Sequence, residues 1–161
     1  MDKINLLMVD DEEQFLTSMS KRLEARGFHV MAVNRGEKAL EMARTHPVDI
    51  ALVDLKMPGM NGEETLKSLK QEHAWIEIVM LTGHGSIDSV VECNVGGAHS
   101  YLHKPCDLEQ IMEVLKEAYK KRVMNRHQME ETKMAELLKD VNPDSPREIL
   151  RRLKEIDEGA A

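Results

Sequence analysis

Five short apolar runs, Ile4 to Val9, Val30 to Val33, Val48 to Val53, Ile76 to Leu81 and Tyr101 to Leu102, alternate with helical patterns over the first 120 residues. Nothing else in the chain restricts its fold so tightly. The runs show no regular exchange of apolar and polar residues, so each strand must be covered on both faces, as in a parallel sheet packed between helices. Right-handed crossovers place those helices on the two sides. The expectation is an α/β domain of (βα)5 type, a doubly wound parallel sheet.

Helix starts fall between the runs. Asp11 to Gln14, Asn34 to Glu37, Asn61 to Glu64 and Asp107 to Gln110 each place a capping side chain three residues before Glu or Gln. Apolar stripes follow at helical spacing, including Phe15, Leu16, Met19 and Leu23; Leu66 and Leu69; Ile87, Val90 and Val91; and Ile111, Met112 and Leu115. Beyond about residue 120 no strand pattern remains. The spacing predicts a helical tail over 122–161, with one helix at about 123–141, a break at 142–146 where Pro143 and Pro146 interrupt the chain, and a second helix at about 146–158. Ser145, Pro146 and Glu148 suit that last start, and Ile149, Leu150, Leu153 and Ile156 form its apolar side.

Charge narrows the partners. The chain carries 22 basic and 29 acidic residues, a net charge of -7, which argues against direct binding to nucleic acid or to an anionic membrane. The first 119 residues hold 12 basic and 20 acidic side chains, and the rest are nearly balanced at 10 and 9. No leader pattern or apolar run of roughly 18 residues is present, so the expected compartment is the cytoplasm. Two cysteines are too few for a secreted disulfide framework.

Asp10 and Asp11 end the first strand and Asp54 ends the third. If the strand order is 2-1-3-4-5, strands 1 and 3 flank the point where the order reverses, and ligands bind beyond the carboxyl ends of strands at such a point. Three carboxylates there repel one another until a cation enters. Oxygen donors without Cys or His favour Mg²⁺. Thr82 follows the fourth strand and Lys104 the fifth, a hydroxyl and an ammonium suited to the equatorial oxygens of a transferring phosphoryl group, with Asp54 as its nucleophile.

Taken in order, Asp10-Asp11, Val53 to Gly62, Leu81 to Gly85 and Gly97 to Pro105 make the chain resemble the receiver domain of two-component response regulators, the CheY-like family, over about residues 4–121. The resemblance implies a flavodoxin-like fold for a domain at 1–121. It also implies that Asp54 accepts a phosphoryl group from a sensor histidine kinase or a phosphotransfer protein, with Mg²⁺ as cofactor. Asp11 resembles the direct metal ligand, Asp10 a ligand through water, and the backbone carbonyl of Lys56 completes the set with Asp54. Thr82 and Lys104 look like the phosphoryl-oxygen partners, Thr82 and Tyr101 like the switch pair, and Lys104–Pro105 like the family's cis peptide.

Such a protein signals by binding rather than as an enzyme. A homodimer is expected through the helix after the fourth strand, the fifth strand, the fifth helix and the tail. Two alternatives stay open: the receiver portion of a longer transcriptional regulator, and an aspartate-nucleophile phosphatase. The phosphatase reading is disfavoured because Lys56 stands where that chemistry needs a second acid.

Overall fold

The computed structural model describes residues 3–83 and 96–159. Five parallel strands, β1 (Ile4–Val9), β2 (Phe28–Val33), β3 (Ile50–Asp54), β4 (Glu77–Thr82) and β5 (Ser100–His103), form one sheet in the order 2-1-3-4-5. The expected doubly wound sheet is therefore present. Helices α1 (Glu13–Glu24), α2 (Gly36–Thr45) and α3 (Gly62–Glu72) follow the first three strands, and α4 (Leu108–Arg126) follows β5. The stripe expected at Ile87, Val90 and Val91 lies outside the described residues.

Strand parity explains the uninterrupted apolar runs. Ile4, Leu6, Met8, Ile50, Leu52, Val79 and Leu81 join one core with residues of α1 and α4, whereas Leu7, Val9, Ala51, Val53, Ile78 and Met80 join a second with α2 and α3. Alternate residues on the three central strands β1, β3 and β4 thus meet different helices, so neither face of them is left to solvent, whereas the edge strand β2 exposes His29 and β5 exposes His103. Each fully buried Leu, Ile or Val contributes about 1.5–3 kcal/mol relative to exposure.

Of the four expected capping boxes, those at Asn61/Glu64 and Asp107/Gln110 form with both bonds. The other two do not. The N-cap of α1 is Glu12 and that of α2 is Arg35, and neither uses its side chain as a cap. Asp10 instead accepts from the Glu12 N–H at 2.9 Å, just past the carboxyl end of β1.

The tail departs from the expected helix at 123–141. Helix α4 crosses the 121/122 boundary without a break and stops at Arg126. His127 caps it, Gln128 takes a left-handed φ of 50°, and the Met129 N–H reaches back to the Met124 carbonyl at 2.8 Å while the Gln128 N–H meets Asn125 O at 3.4 Å. This is the Schellman closure, usually made by glycine. A glutamine in that place left no stop signal to read. The short α5 (Glu131–Leu137) and then α6 (Pro146–Gly159) follow, and the Ser145 hydroxyl accepts from the Glu148 N–H at 3.3 Å.

Helix α6 packs on α4. Ile149, Leu150, Leu153 and Ile156 enter the same core as Leu23, Phe28, Tyr119, Val123 and Met134. A helix this short needs a covering surface, its own receiver or a second copy, and the stripe finds it on its own receiver instead of in a dimer seam.

Candidate functional site

Val9 pairs with Val53 in the parallel register, so the chain leaves β1 at Asp10 and Asp11 beside Asp54. The carboxylate oxygens of these three residues lie within 4.8 Å of one another. Asp10 is fully buried and Asp54 is 6% exposed, whereas Asp11 faces solvent. A cavity of about 540 Å³ opens above them, reaching Phe15, Lys56 and Lys104.

Asp10 is engaged on both oxygens. Its Oδ1 accepts from the Glu12 N–H at 2.9 Å and its Oδ2 from Lys104 Nζ at 2.5 Å. The Lys104 ammonium also bonds Glu12 Oε1 at 2.9 Å and sits 4.6 Å from the centre of the Phe15 ring. Burial works against its charge, but the bonds to Asp10 and Glu12 prevail and hold it above the ordinary lysine range. A cis Lys104–Pro105 peptide follows.

Asp54 has the opposite imbalance. Burial first and the Asp10 charge second push its carboxyl up to about 7, with Lys104 and the Lys56 N–H pulling it down and Asp11 adding to the rise. The site is short of positive charge, as the sequence pattern anticipated. Its donors are oxygens at close quarters with an open side toward solvent, a set that fits a hard divalent cation retaining waters.

Backbone packing fixes Asp54 from below. The Leu55 N–H donates to the Leu81 carbonyl at 2.8 Å, and the Gly62 N–H to the Leu55 carbonyl at 3.0 Å. A Cβ on Gly62 would lie 2.3 Å from the Asp54 carbonyl oxygen, so a side chain there would displace the strand end. Between them the loop is held to α2, because Glu37 Oε1 accepts from the Met60 N–H at 3.0 Å.

Thr82 ends β4 almost fully buried, and its hydroxyl has no partner among the described residues. Its carbonyl accepts the Lys104 N–H at 3.0 Å, which ties the fourth and fifth strand ends together. Tyr101 is half-buried against the α2–α3 core, the side of the sheet opposite the tail. The structure thus gathers Asp10, Asp11, Asp54 and Lys104 into one pocket, with Lys56 on its wall and Thr82 at the adjacent strand end. Glu12 and Phe15 complete it and were not singled out by sequence. Glu12 merely falls inside the Asp11 to Gln14 helix start, and Phe15 is one position of an apolar stripe.

This geometry has close counterparts. The description "Response regulator receiver domain" matches residues 6–116. The chain belongs to the response regulator receiver family. Over 117 residues the receiver is 35% identical to the transcriptional regulatory protein ZraR of Klebsiella oxytoca, covering 73% of this chain and 26% of that protein. It is 30% identical over 124 residues to a cyclic di-GMP phosphodiesterase of Thermotoga maritima, covering 77% of this chain and 33% of the relative. Among solved structures, a CheY-like receiver domain protein from Methanospirillum hungatei superposes with a TM-score of 0.75 at 27% identity, covering 77% of this chain and 99% of that one. The receiver spans about a quarter to a third of the length of these curated relatives. Among its described residues, no helix is long and apolar enough to cross a membrane.

Proposed function

We propose that Asp54 is the phosphoacceptor of this receiver, charged by a histidine kinase or a phosphotransfer protein. The observation that carries this is the position of the Asp54 carboxylate, buried at a strand end between Asp10, Asp11 and the Lys104 ammonium. In the transfer an Asp54 oxygen attacks phosphorus. The new O–P bond forms as the donor's P–N bond breaks, and the departing imidazole keeps the electron pair and takes up a proton.

Mg²⁺, held by Asp11, Asp54 and the Lys56 carbonyl, with Asp10 acting through water, would neutralise charge on the phosphoryl oxygens. Lys104 supplies the second positive charge, because its ammonium already lies at the pocket wall and has only to exchange carboxylate oxygens for phosphoryl oxygens. The Thr82 hydroxyl, without a partner among the described residues, is free to donate to a phosphoryl oxygen. Its engagement would draw Thr82 toward Asp54 and let Tyr101 shift, changing the surface around β5. Output by protein binding follows from that change.

The homodimer through this face remains part of the proposal without the tail, whose apolar stripe is buried within the chain. The helix expected before β5 lies outside the described residues. Because its curated relatives are much longer, the same receiver also suits a place within a longer transcriptional regulator. Incubation with acetyl phosphate and Mg²⁺ followed by peptide mapping tests the assignment. A single base-labile phosphoryl group on the peptide containing Asp54 is expected, and a stable phosphate on Ser, Thr or His contradicts it.

A further inference from the structure

Glu12 stands at the N-cap of α1, where a carboxylate ordinarily accepts from the first free amides of the helix. It does not do so here, since its side chain makes no capping bond. The side chain is 64% exposed and reaches instead across the mouth of the cavity to Lys104 Nζ at 2.9 Å, while the same ammonium holds Asp10 on its inner side. Phe15 lies against the ammonium from α1. Lys104 is thus bound to two carboxylates, one belonging to the metal-binding set and one outside it.

We infer that Glu12 is a positioning residue that parks the Lys104 ammonium at the pocket wall in the unphosphorylated receiver and competes with the phosphoryl oxygens for it during transfer. The inference rests on the proposed phosphoacceptor role of Asp54. The ammonium has three N–H donors and spends two of them on Asp10 and Glu12, so it can meet the phosphoryl oxygens with more than one bond only by giving up a carboxylate. Asp10 loses its need for the lysine as cation charge enters the pocket, but Glu12 lies outside the triad and keeps its claim. Its bond is then a cost carried into the transfer step. With acetyl phosphate as donor, the Asp54 oxygen forms the new O–P bond while the anhydride P–O bond breaks, and acetate leaves with the electron pair. Glu12 touches none of these atoms and acts only through Lys104.

Two variants separate parking from simple repulsion of an anionic donor. Glu12→Gln removes the charge, whereas Glu12→Asp keeps the charge but shortens the reach by one methylene. Parking predicts that both raise the phosphorylation rate at saturating acetyl phosphate and Mg²⁺, by about two- to fivefold for one partly exposed ion pair. Repulsion alone would change only the half-saturating donor concentration, and only in Glu12→Gln. Neither change removes a helix cap, so folding should be retained.

A second reading needs neither metal nor donor. In the metal-free protein the Lys104 ¹⁵Nζ ammonium resonance should be slowed in solvent exchange by its two carboxylate partners, and both variants should shift it and speed its exchange. An ammonium resonance unchanged by Glu12→Gln overturns the inference, as does an unchanged saturating rate in both variants. Absence of wild-type labelling on Asp54 would contradict the phosphoacceptor reading instead. The ammonium resonance would still show whether Glu12 holds Lys104.

Discussion

Asp54 and Gly62 show how single residues set the chemistry of the pocket. The Asp54 carboxyl is raised to about 7 by burial and by Asp10, so the folded protein retains a proton there that the unfolded chain would release. In the metal-free protein the resulting stabilisation is complete below the ordinary carboxylate range and is lost as pH rises through about 7. Thermal melts in chelator should therefore show the wild type losing stability between roughly pH 4 and 8 relative to Asp54→Asn. Parallel pH profiles would contradict the shift. Mg²⁺ competes with that proton, so its affinity should rise over the same interval. Calorimetry should find it sharply weakened in Asp11→Asn and less so in Asp10→Asn, whose oxygens are already taken by Glu12 and Lys104; equal affinity in Asp11→Asn and wild type would contradict the direct-ligand assignment. At Gly62 the close approach to the Asp54 carbonyl makes Gly62→Ala an overpacking change of about 1–3 kcal/mol. Denaturant unfolding measures the loss, and acceptor activity should fall with it because the strand end carrying Asp54 is pushed.

The elements divide by how their boundaries are encoded. Helices α3 and α4 begin where Asn61 and Asp107 meet Glu64 and Gln110, because side chain and backbone agree there. The end of α4 is encoded by conformation at Gln128, which no residue type announced. Replacing Gln128 by glycine should relieve the left-handed strain and stabilise the protein by about 0.5–1 kcal/mol, seen as a higher unfolding midpoint. A lower midpoint would mean that the Gln128 side chain contributes more than its backbone costs. The strands and their order were legible because parity on a two-sided sheet forces continuous apolar runs. Asp10, Asp11, Asp54, Thr82 and Lys104 were legible because each lies within two residues of the carboxyl end of such a run. Glu12 was not, since its partner Lys104 is 92 residues away and only the fold brings the two together.

The molecule as a whole is a receiver whose α1–α4 side is sealed by its own tail. Burial of Leu153 in the shared core is joined by a polar fastening, in which Asp157 accepts from the Tyr119 hydroxyl at 3.2 Å and from Arg126 at 3.0 Å, with His127 Nε2 at 2.9 Å. Burial and the Asp157 charge push the Tyr119 hydroxyl well above the usual phenol range. The tail is thus part of the folded unit, and Leu153→Ala should lower the stability of the receiver itself by about 2–5 kcal/mol in a single unfolding transition. A separate early transition for the tail would contradict this. Among the described residues, the proposed phosphorylation-dependent change falls around Thr82, β5 and Tyr101, across the sheet from α6. The signalling account depends on Asp54 accepting a phosphoryl group with a divalent cation, and intact-mass measurement after acetyl phosphate treatment tests it most directly. The expected result is one added phosphoryl group on wild type with Mg²⁺, and none with chelator or in Asp54→Asn; full labelling of Asp54→Asn, or labelling of wild type indifferent to the metal, would contradict it.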